Sequence, residues 1–501
     1  MKNKIIIVIY FLFSKQSIAQ QFLREYGDTV ITSEWAAGMA ITPDTDFVFW
    51  GSYRNWSLSW TAIANLKIDK YGNEIYSKSD SLSQRSPGTS PTHAFIISTT
   101  NQFYGGGKVS EQPASYQFNA FLAKLDANGD TVFTKEYVLS NFQSIVKDLK
   151  QTSDGNILLA GEFHDHFVNG DMFLMKVDTN DNVLWQKNYT DSSGFQEEAF
   201  RVIEMPDHDL IITGMYRYDL YSNNDTSLAF LMRTDSAGNM KWLKYYAQNY
   251  GTIALDVSLC PDSGFIICGS SFLSPNHNNL NGYISKIDSG GNMQWEKYYQ
   301  LYPSQYAELY NAIPGINGGY YISGTGLDSI SQERGWFLRL DDNGNILWQE
   351  HYTEGNYLAY ITDMKMLGAN DFIMCGTINH PGGVGKEDYL VIRTDSLGCY
   401  VNCFTGTGVF NLDEQDEEEI VVYPNPFSDQ LTIKYPLPEN TSNIQVQFIN
   451  PASGAIEKSI SLNSNEHEYI VNCSDMPSGV HIVKMFTDQR QVGIQKVVLI
   501  K

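Results

Sequence analysis

Positive charge is scarce in this chain: of 501 residues only 34 are Lys or Arg, against 57 Asp or Glu, for a formal net charge of −23. A phosphate backbone is held by clustered basic side chains, so no nucleic-acid partner is expected. Cysteine is also sparse, at six, which excludes a disulfide-dense scaffold. No segment reaches the ~18 consecutive apolar residues that a membrane-crossing helix needs. The chain has no nucleophile elbow, phosphate loop, Cys-x-x-Cys pair or His-Glu-x-x-His motif; His467-Glu468 lacks the second histidine. No catalytic residue, cofactor or metal is therefore expected. What is abundant is Tyr (31), Phe (26), Trp (9) and Gly (40), the residues of strands and turns rather than of solvated helices.

The first residues read as an address. Lys2 and Lys4 precede the apolar run Ile5 to Phe13, and Ser17-Ile18-Ala19 supplies the small residues a signal peptidase reads. Residues 1–19 are expected to be a signal peptide, with Gln20 opening the mature chain.

A thirteen-residue pattern then recurs seven times, from ANLKIDKYGNEIY (64–76) through FLMRTDSAGNMKW (230–242) to LVIRTDSLGCYVN (390–402). Its aspartates are Asp69, Asp126, Asp178, Asp235, Asp288, Asp341 and Asp395, a mean period of about 54 residues. Each copy predicts strand, tight turn, strand: the Asp accepts from backbone amides two residues on, and the following Gly or Asn takes positive φ. Upstream of each copy an apolar run ends in glycine (Gly51, Gly105, Gly161, Gly214, Gly269, Gly324, Gly376), predicting a second hairpin. Four strands per unit, here called A to D, repeated seven times predict a seven-bladed β-propeller over residues 20–403. The last unit lacks strand D, and Phe22-Leu23-Arg24-Glu25-Tyr26 carries that strand's spacing, so it is expected to pair with strand C of unit 7 and close the ring. A basic residue stands two before every turn aspartate, from Lys67 to Arg393, and predicts structural ion pairs between blades. These copies resemble the tryptophan-rich propeller repeats of the quinoprotein-like and delta-60 type. Such propellers host enzymes, lectins and scaffolds, so the fold alone does not name an activity.

Residues 404–420 read as a flexible linker, since six of the seven residues from Asp413 to Glu419 are acidic. Beyond it, alternating segments over residues 421–501 predict a small Ig-like β-sandwich. Val422-Tyr423-Pro424-Asn425-Pro426-Phe427, the Met476-Pro477-Ser478-Gly479-Val480-His481 turn, and the ending from Gln495 through Lys496 to Lys501 resemble the type A C-terminal sorting domain of type IX secretion substrates. His481 and Met476 stand where that family usually has Tyr and Leu. The resemblance implies export, engagement of the type IX secretion machinery, and release or attachment at the cell surface.

Function is expected on one face. Turns A–B and C–D are short, whereas the B–C and D–A connections are long and emerge together, carrying aromatic, Arg and His residues of the kind recognition surfaces use. The candidate ligand-binding residues are Trp56, Trp60, His164, His166, Arg217, Tyr218 and Tyr221, with His164-Asp165-His166 expected in an exposed loop. The leading expectation is a non-enzymatic binding or adhesion propeller with a glycan or protein ligand; the alternative is an extracellular enzyme acting on polysaccharide, a hydrolase or lyase. Cys268 and Cys375 are expected to be packed thiols. Cys260 with Cys268, and Cys399 with Cys403, are spaced so that each pair could bridge.

Overall fold

The computed structural model describes residues 21–400 and 421–499, apart from connecting segments no longer than nine residues, and those residues form an all-β protein without helices. The expected signal peptide and acidic linker lie outside the described residues.

Units 3 to 6 each form one antiparallel four-stranded sheet in chain order. In unit 4 the strands are Gln196–Glu204, Leu210–Arg217, Ser227–Thr234 and Met240–Tyr246. The C–D turns follow from the repeated Asp-x-x-Gly pattern, in which Asp181 takes the glycine's place in unit 3 at φ +68°. Asp235 Oδ1 accepts from the Ala237 and Asn239 amides at 3.0 and 2.8 Å, Oδ2 accepts from the Asn239 side chain at 2.8 Å, and Gly238 takes φ +77°. The unit glycine has a different cause. Strand A carries a one-residue bulge opposite it, which pushes a carbonyl against strand B; a Cβ on Gly161 would lie 2.0 Å from the Ile145 oxygen, and one on Gly376 1.7 Å from the Tyr360 oxygen. In unit 2 this role falls to Gly107, which pairs with Phe121 as Gly161 pairs with Phe173, and not to the expected Gly105 two residues earlier.

Neighbouring units share apolar cores and a recurring hydrogen bond. A strand D tyrosine donates to the carbonyl of the next unit's turn glycine: Tyr189 to Gly238 at 2.7 Å, Tyr246 to Gly291 at 2.8 Å, Tyr299 to Gly344 at 2.6 Å and Tyr352 to Gly398 at 2.7 Å. The N-terminal strand Phe22–Tyr26 pairs antiparallel with strand C of unit 7, from Phe22 opposite Arg393 to Tyr26 opposite Tyr389. Tyr26 then repeats the bond, to Gly72 of unit 1 at 2.7 Å, and Phe22 lies in a core joining Ile373 and Val391 to Phe47, Phe49 and Leu66.

Two units depart from the pattern. Strand A of unit 1 touches strand C of unit 7 in parallel at Thr32 and Ser33, merging both units into one eight-stranded sheet. Unit 2 splits its inner strand into Ser86–Gly88 and Phe95–Ile97.

Residues 421–499 form two further sheets, one of three strands and one of four, around a core that includes Phe427, Leu431, Val446, Phe448, Val471, Val483 and Val497. His481 is buried in this unit, with Nε2 3.0 Å from the Pro477 carbonyl and Nδ1 2.5 Å from the Glu457 carboxylate.

Candidate ligand-binding cleft

The bulge on strand A puts polar side chains where the innermost strands of several units meet. Arg201 of unit 4 lies 3.3 Å from Asp148 of unit 3 and 3.1 Å from Asp256 of unit 5. His93 of unit 2 reaches Asn311 of unit 6 at 2.8 Å and Asp363 of unit 7 at 3.5 Å. Asp148, Asp256 and Asp363 are buried, and each accepts a backbone amide of the following unit: Val202 at 2.7 Å, Ala312 at 3.0 Å and Met39 at 2.9 Å. Burial lowers the pKa of His93, so this network favours its neutral form. These contacts run from unit to unit and tie the innermost strands together.

Nearer the ends where the B–C connections leave, units 2 and 3 enclose a cleft of about 150 Å³ lined by Lys108, Phe118, Gln143, Ser144, Ile145, Lys147, Glu162 and His164. Lys147, the bulge residue of unit 3, is buried between two carboxylates: Glu162 at 3.0 Å, and Glu198 of unit 4 in a shorter contact. Its ammonium also sits 4.2 Å from the centre of the Phe200 ring. His164 Nε2 lies 3.1 Å from Glu162. Burial raises the pKa of Glu162, but Lys147 and then His164 outweigh it and hold the carboxyl down at about 2. Glu198 moves the other way, since burial outweighs the pull of Lys147. Burial disfavours a charged His164, yet Glu162 raises its pKa above the ordinary imidazole value. Lys108 has no carboxylate within ion-pair range among the described residues; its Nζ lies 4.6 Å from the Phe118 ring centre, and burial, with repulsion from Lys147, lowers its pKa against the pull of Glu162.

Of the residues singled out from sequence, His164 and Arg217 are joined here through intermediates that sequence reasoning missed. Arg217 Nη1 donates to Gln196 at 3.4 Å, Gln196 donates to Glu198 at 2.5 Å, and Glu198 shares Lys147 with Glu162, the partner of His164. His164 is not in an exposed loop: it lies near the end of the long strand Ile157–His166, opposite Gly170, where a Cβ would stand 2.7 Å from its ring. His166 and Trp60 belong to strands, but their side chains are outside the described residues, as are Trp56, Tyr218 and Tyr221. In the C-terminal unit Tyr423 is exposed and donates to Glu468 at 2.7 Å, Pro424 is exposed, and Gly479 takes φ +143°. Asn425, Pro426 and Lys501 lie outside the described residues, as does the side chain of Lys496.

Five of the basic residues before the turn aspartates form ion pairs within units rather than between them, Arg233 with Asp207 and Asp209 among them, whereas Lys124 reaches across to the Thr179 carbonyl of unit 3 at 3.5 Å. Lys67, Lys176, Lys286 and Arg393 reach Asp46, Asp154, Asp262 and Asp371 of their own A–B hairpins at 3.1, 2.6, 2.8 and 3.2 Å. The reason is geometric: side chains two apart on a strand share a face, and that face looks towards the neighbouring hairpin turn of the same sheet. Cys268 and Cys375 are buried free thiols; Cys260 is free as well, so it does not bridge to Cys268, while Cys399 is disulfide-bonded to a partner outside the described residues.

Residues 421–501 match the secretion system C-terminal sorting domain family. The protein is thus a substrate of the type IX route, secreted and directed to the cell surface, and no helix among its described residues is long and apolar enough to cross a membrane. No curated protein matches the chain in sequence. Among solved structures it is similar to a protein of unknown function from Dyadobacter fermentans (11% identity, 74% of this chain and 99% of that one, TM-score 0.41). It is also similar to the polysaccharide lyase PL25, an ulvan lyase (9%, 74% and 95%, TM-score 0.47). A third is a puromycin hydrolase, of which the chain spans 58% (11%, 81% of this chain, TM-score 0.45).

Proposed function

We propose that this exported chain is a non-enzymatic binding protein, a seven-bladed β-propeller over residues 20–403 joined by the acidic linker to an Ig-like sorting sandwich, and that the cleft between units 2 and 3 takes one anionic group of an extracellular glycan. The seven-unit ring is supported by bonds that recur from unit to unit and across the seam: Tyr26 to Gly72 repeats Tyr246 to Gly291, and Asp363 to Met39 repeats Asp148 to Val202.

The observation that carries the binding reading is Lys108. The other charges of the cleft are spent on one another, whereas Lys108 lines the cavity beside an aromatic ring, with its charged form disfavoured by burial. A uronate carboxylate or a sulfate entering there would supply the missing counter-charge, and the Phe118 ring an apolar surface for a sugar face. A second reading, hydrolysis or lysis of polysaccharide, is favoured by the opposite shifts of Glu162 and Glu198, since two carboxyls pushed apart in pKa are what acid and base roles require.

One experiment separates these readings. The purified protein is passed over immobilised uronate-bearing, sulfated and neutral polysaccharides, with both retention and bond cleavage recorded. Retention of acidic polymers without cleavage, weakened at least about tenfold in Lys108→Met with an unchanged melting temperature, is expected. Cleavage would replace the binding reading with the enzymatic one. Equal retention of neutral and acidic polymers would remove the cleft from the account.

A further inference from the structure

A second cluster lies at the seam where the N-terminal strand meets unit 7. Glu25 is on Phe22–Tyr26, Asp388 on strand C (Lys386–Asp395), and His380 directly follows strand B (Asp371–Asn379). Their register puts all three on one face of the sheet. Glu25 stands opposite Leu390, two residues from Asp388, and Asp388 stands opposite Ile378, two residues from His380. Gly27 leaves room for the Asp388 carboxylate, because a Cβ there would lie 1.9 Å from Oδ1. The Tyr357 ring meets the imidazole edge-on at 4.5 Å and fixes its orientation.

His380 Nε2 lies 3.1 Å from Glu25 Oε2 and 3.2 Å from Asp388 Oδ2, and makes a well-aligned hydrogen bond with neither. A proton on Nε2 points at one acceptor at most, so a hydrogen bond can serve only one of the two carboxylates beside it. A divalent cation serves both at once. Donors about 2.1 Å from an ion in the tetrahedral arrangement zinc favours are about 3.4 Å apart, a few tenths of an ångström beyond the two separations here, and each lies well off the line of its neighbour's lone pair. The three donor atoms lie within 4.8 Å of one another, close enough for one ion to draw together.

We propose that Glu25, His380 and Asp388 bind one first-row divalent cation, Zn²⁺ being the best match to one imidazole and two carboxylates, and that the ion pins the N-terminal strand to unit 7. Ca²⁺, which prefers an all-oxygen shell of six or more ligands, is expected to bind more weakly. The site is distinct from the cleft of units 2 and 3 and goes beyond the sequence, which offered no metal motif.

The test uses the purified full chain stripped with a chelator, titrated calorimetrically with Zn²⁺, Mn²⁺ and Ca²⁺ and melted in the presence and absence of each ion. One Zn²⁺ per chain and a raised melting temperature are expected. His380→Gln and Asp388→Asn should each weaken binding at least about a hundredfold and abolish the thermal gain. Absence of stoichiometric binding would overturn the proposal, as would variants that bind like the wild type. Should a variant fail to fold, the wild type decides: stoichiometric Zn²⁺ that leaves the melting temperature unchanged is bound elsewhere and overturns the site.

Discussion

The two ends of the sheets are built on opposite principles. At the short-turn end one device is repeated: an Asp accepting two amides, a Gly (Asp181 in unit 3) taking the turn, a tyrosine from the unit before tied to a turn carbonyl. At the long-loop end the cleft is built from residues that differ from unit to unit: Lys108 from unit 2, Lys147, Glu162 and His164 from unit 3, with Glu198 of unit 4 against Lys147. Repetition gives stability that is spread over many equal parts. Singular residues give a place where a ligand can be told from water, at the cost of concentrating buried charge in one spot.

The contrast is broken most severely at the seam. Deleting residues 20–27 removes Phe22 and Tyr26, exposes strand C of unit 7 and leaves the turn end open at one point. The loss expected in denaturant unfolding is on the order of 5 kcal/mol or more, that of two buried aromatics. A chain that melts like the intact one would contradict closure by this strand.

Next comes Lys147→Met, which leaves Glu162 and Glu198 without their shared cation and should cost about 3 kcal/mol near neutral pH. Here pH sharpens the test. The folded state holds the Glu162 pKa down to about 2, below its ordinary 4.5, so its contribution is full above about 4.5 and is lost as pH falls towards 2. Without Lys147 burial raises that pKa instead, and the variant should gain stability relative to wild type on acidification over the same window. Parallel pH profiles would sink this account.

His164→Gln tests the opposite sign. Its folded pKa is raised above the ordinary 6.5, so its contribution is complete below that value and is lost as pH climbs through the raised one. Wild type should therefore exceed the variant by more at pH 6 than at pH 9, by about 1 kcal/mol. An equal gap at both values would show that the imidazolium contributes nothing.

The smallest effect belongs to the repeated device. Tyr246→Phe removes one bond to the Gly291 carbonyl and should cost about 1 kcal/mol in thermal or denaturant unfolding. Ligand retention should not change. A loss of binding without a loss of stability would put the working surface at the turn end.

What could be read in the sequence follows the same division. Asp235-Ser236-Ala237-Gly238 names its own turn, because every partner lies within four residues, and Phe22 to Tyr26 announced its role by copying a strand found elsewhere in the chain. Gly105 was misread for Gly107 because three consecutive glycines leave the register open, and only the interrupted inner strand fixes it. The partners of Lys67 and Lys176, Asp46 and Asp154, stand in hairpin turns that bring them back across the sheet in a way that spacing along one strand does not express. Lys147 carried no signal: a lysine between Val146 and Asp148 becomes a buried charge only because the strand bulges there.

The pairing of Phe22 with Arg393 also dictates an order of assembly. The segment synthesised first cannot be satisfied until the last repeat has been made, so a growing or translocating chain carries two unfinished, mutually complementary edges. Each is an invitation to the wrong partner. Two such chains held close together could exchange their first strands and form an interlocked pair, and a cell that exports this protein in quantity has reason to keep those edges apart until the whole chain has emerged.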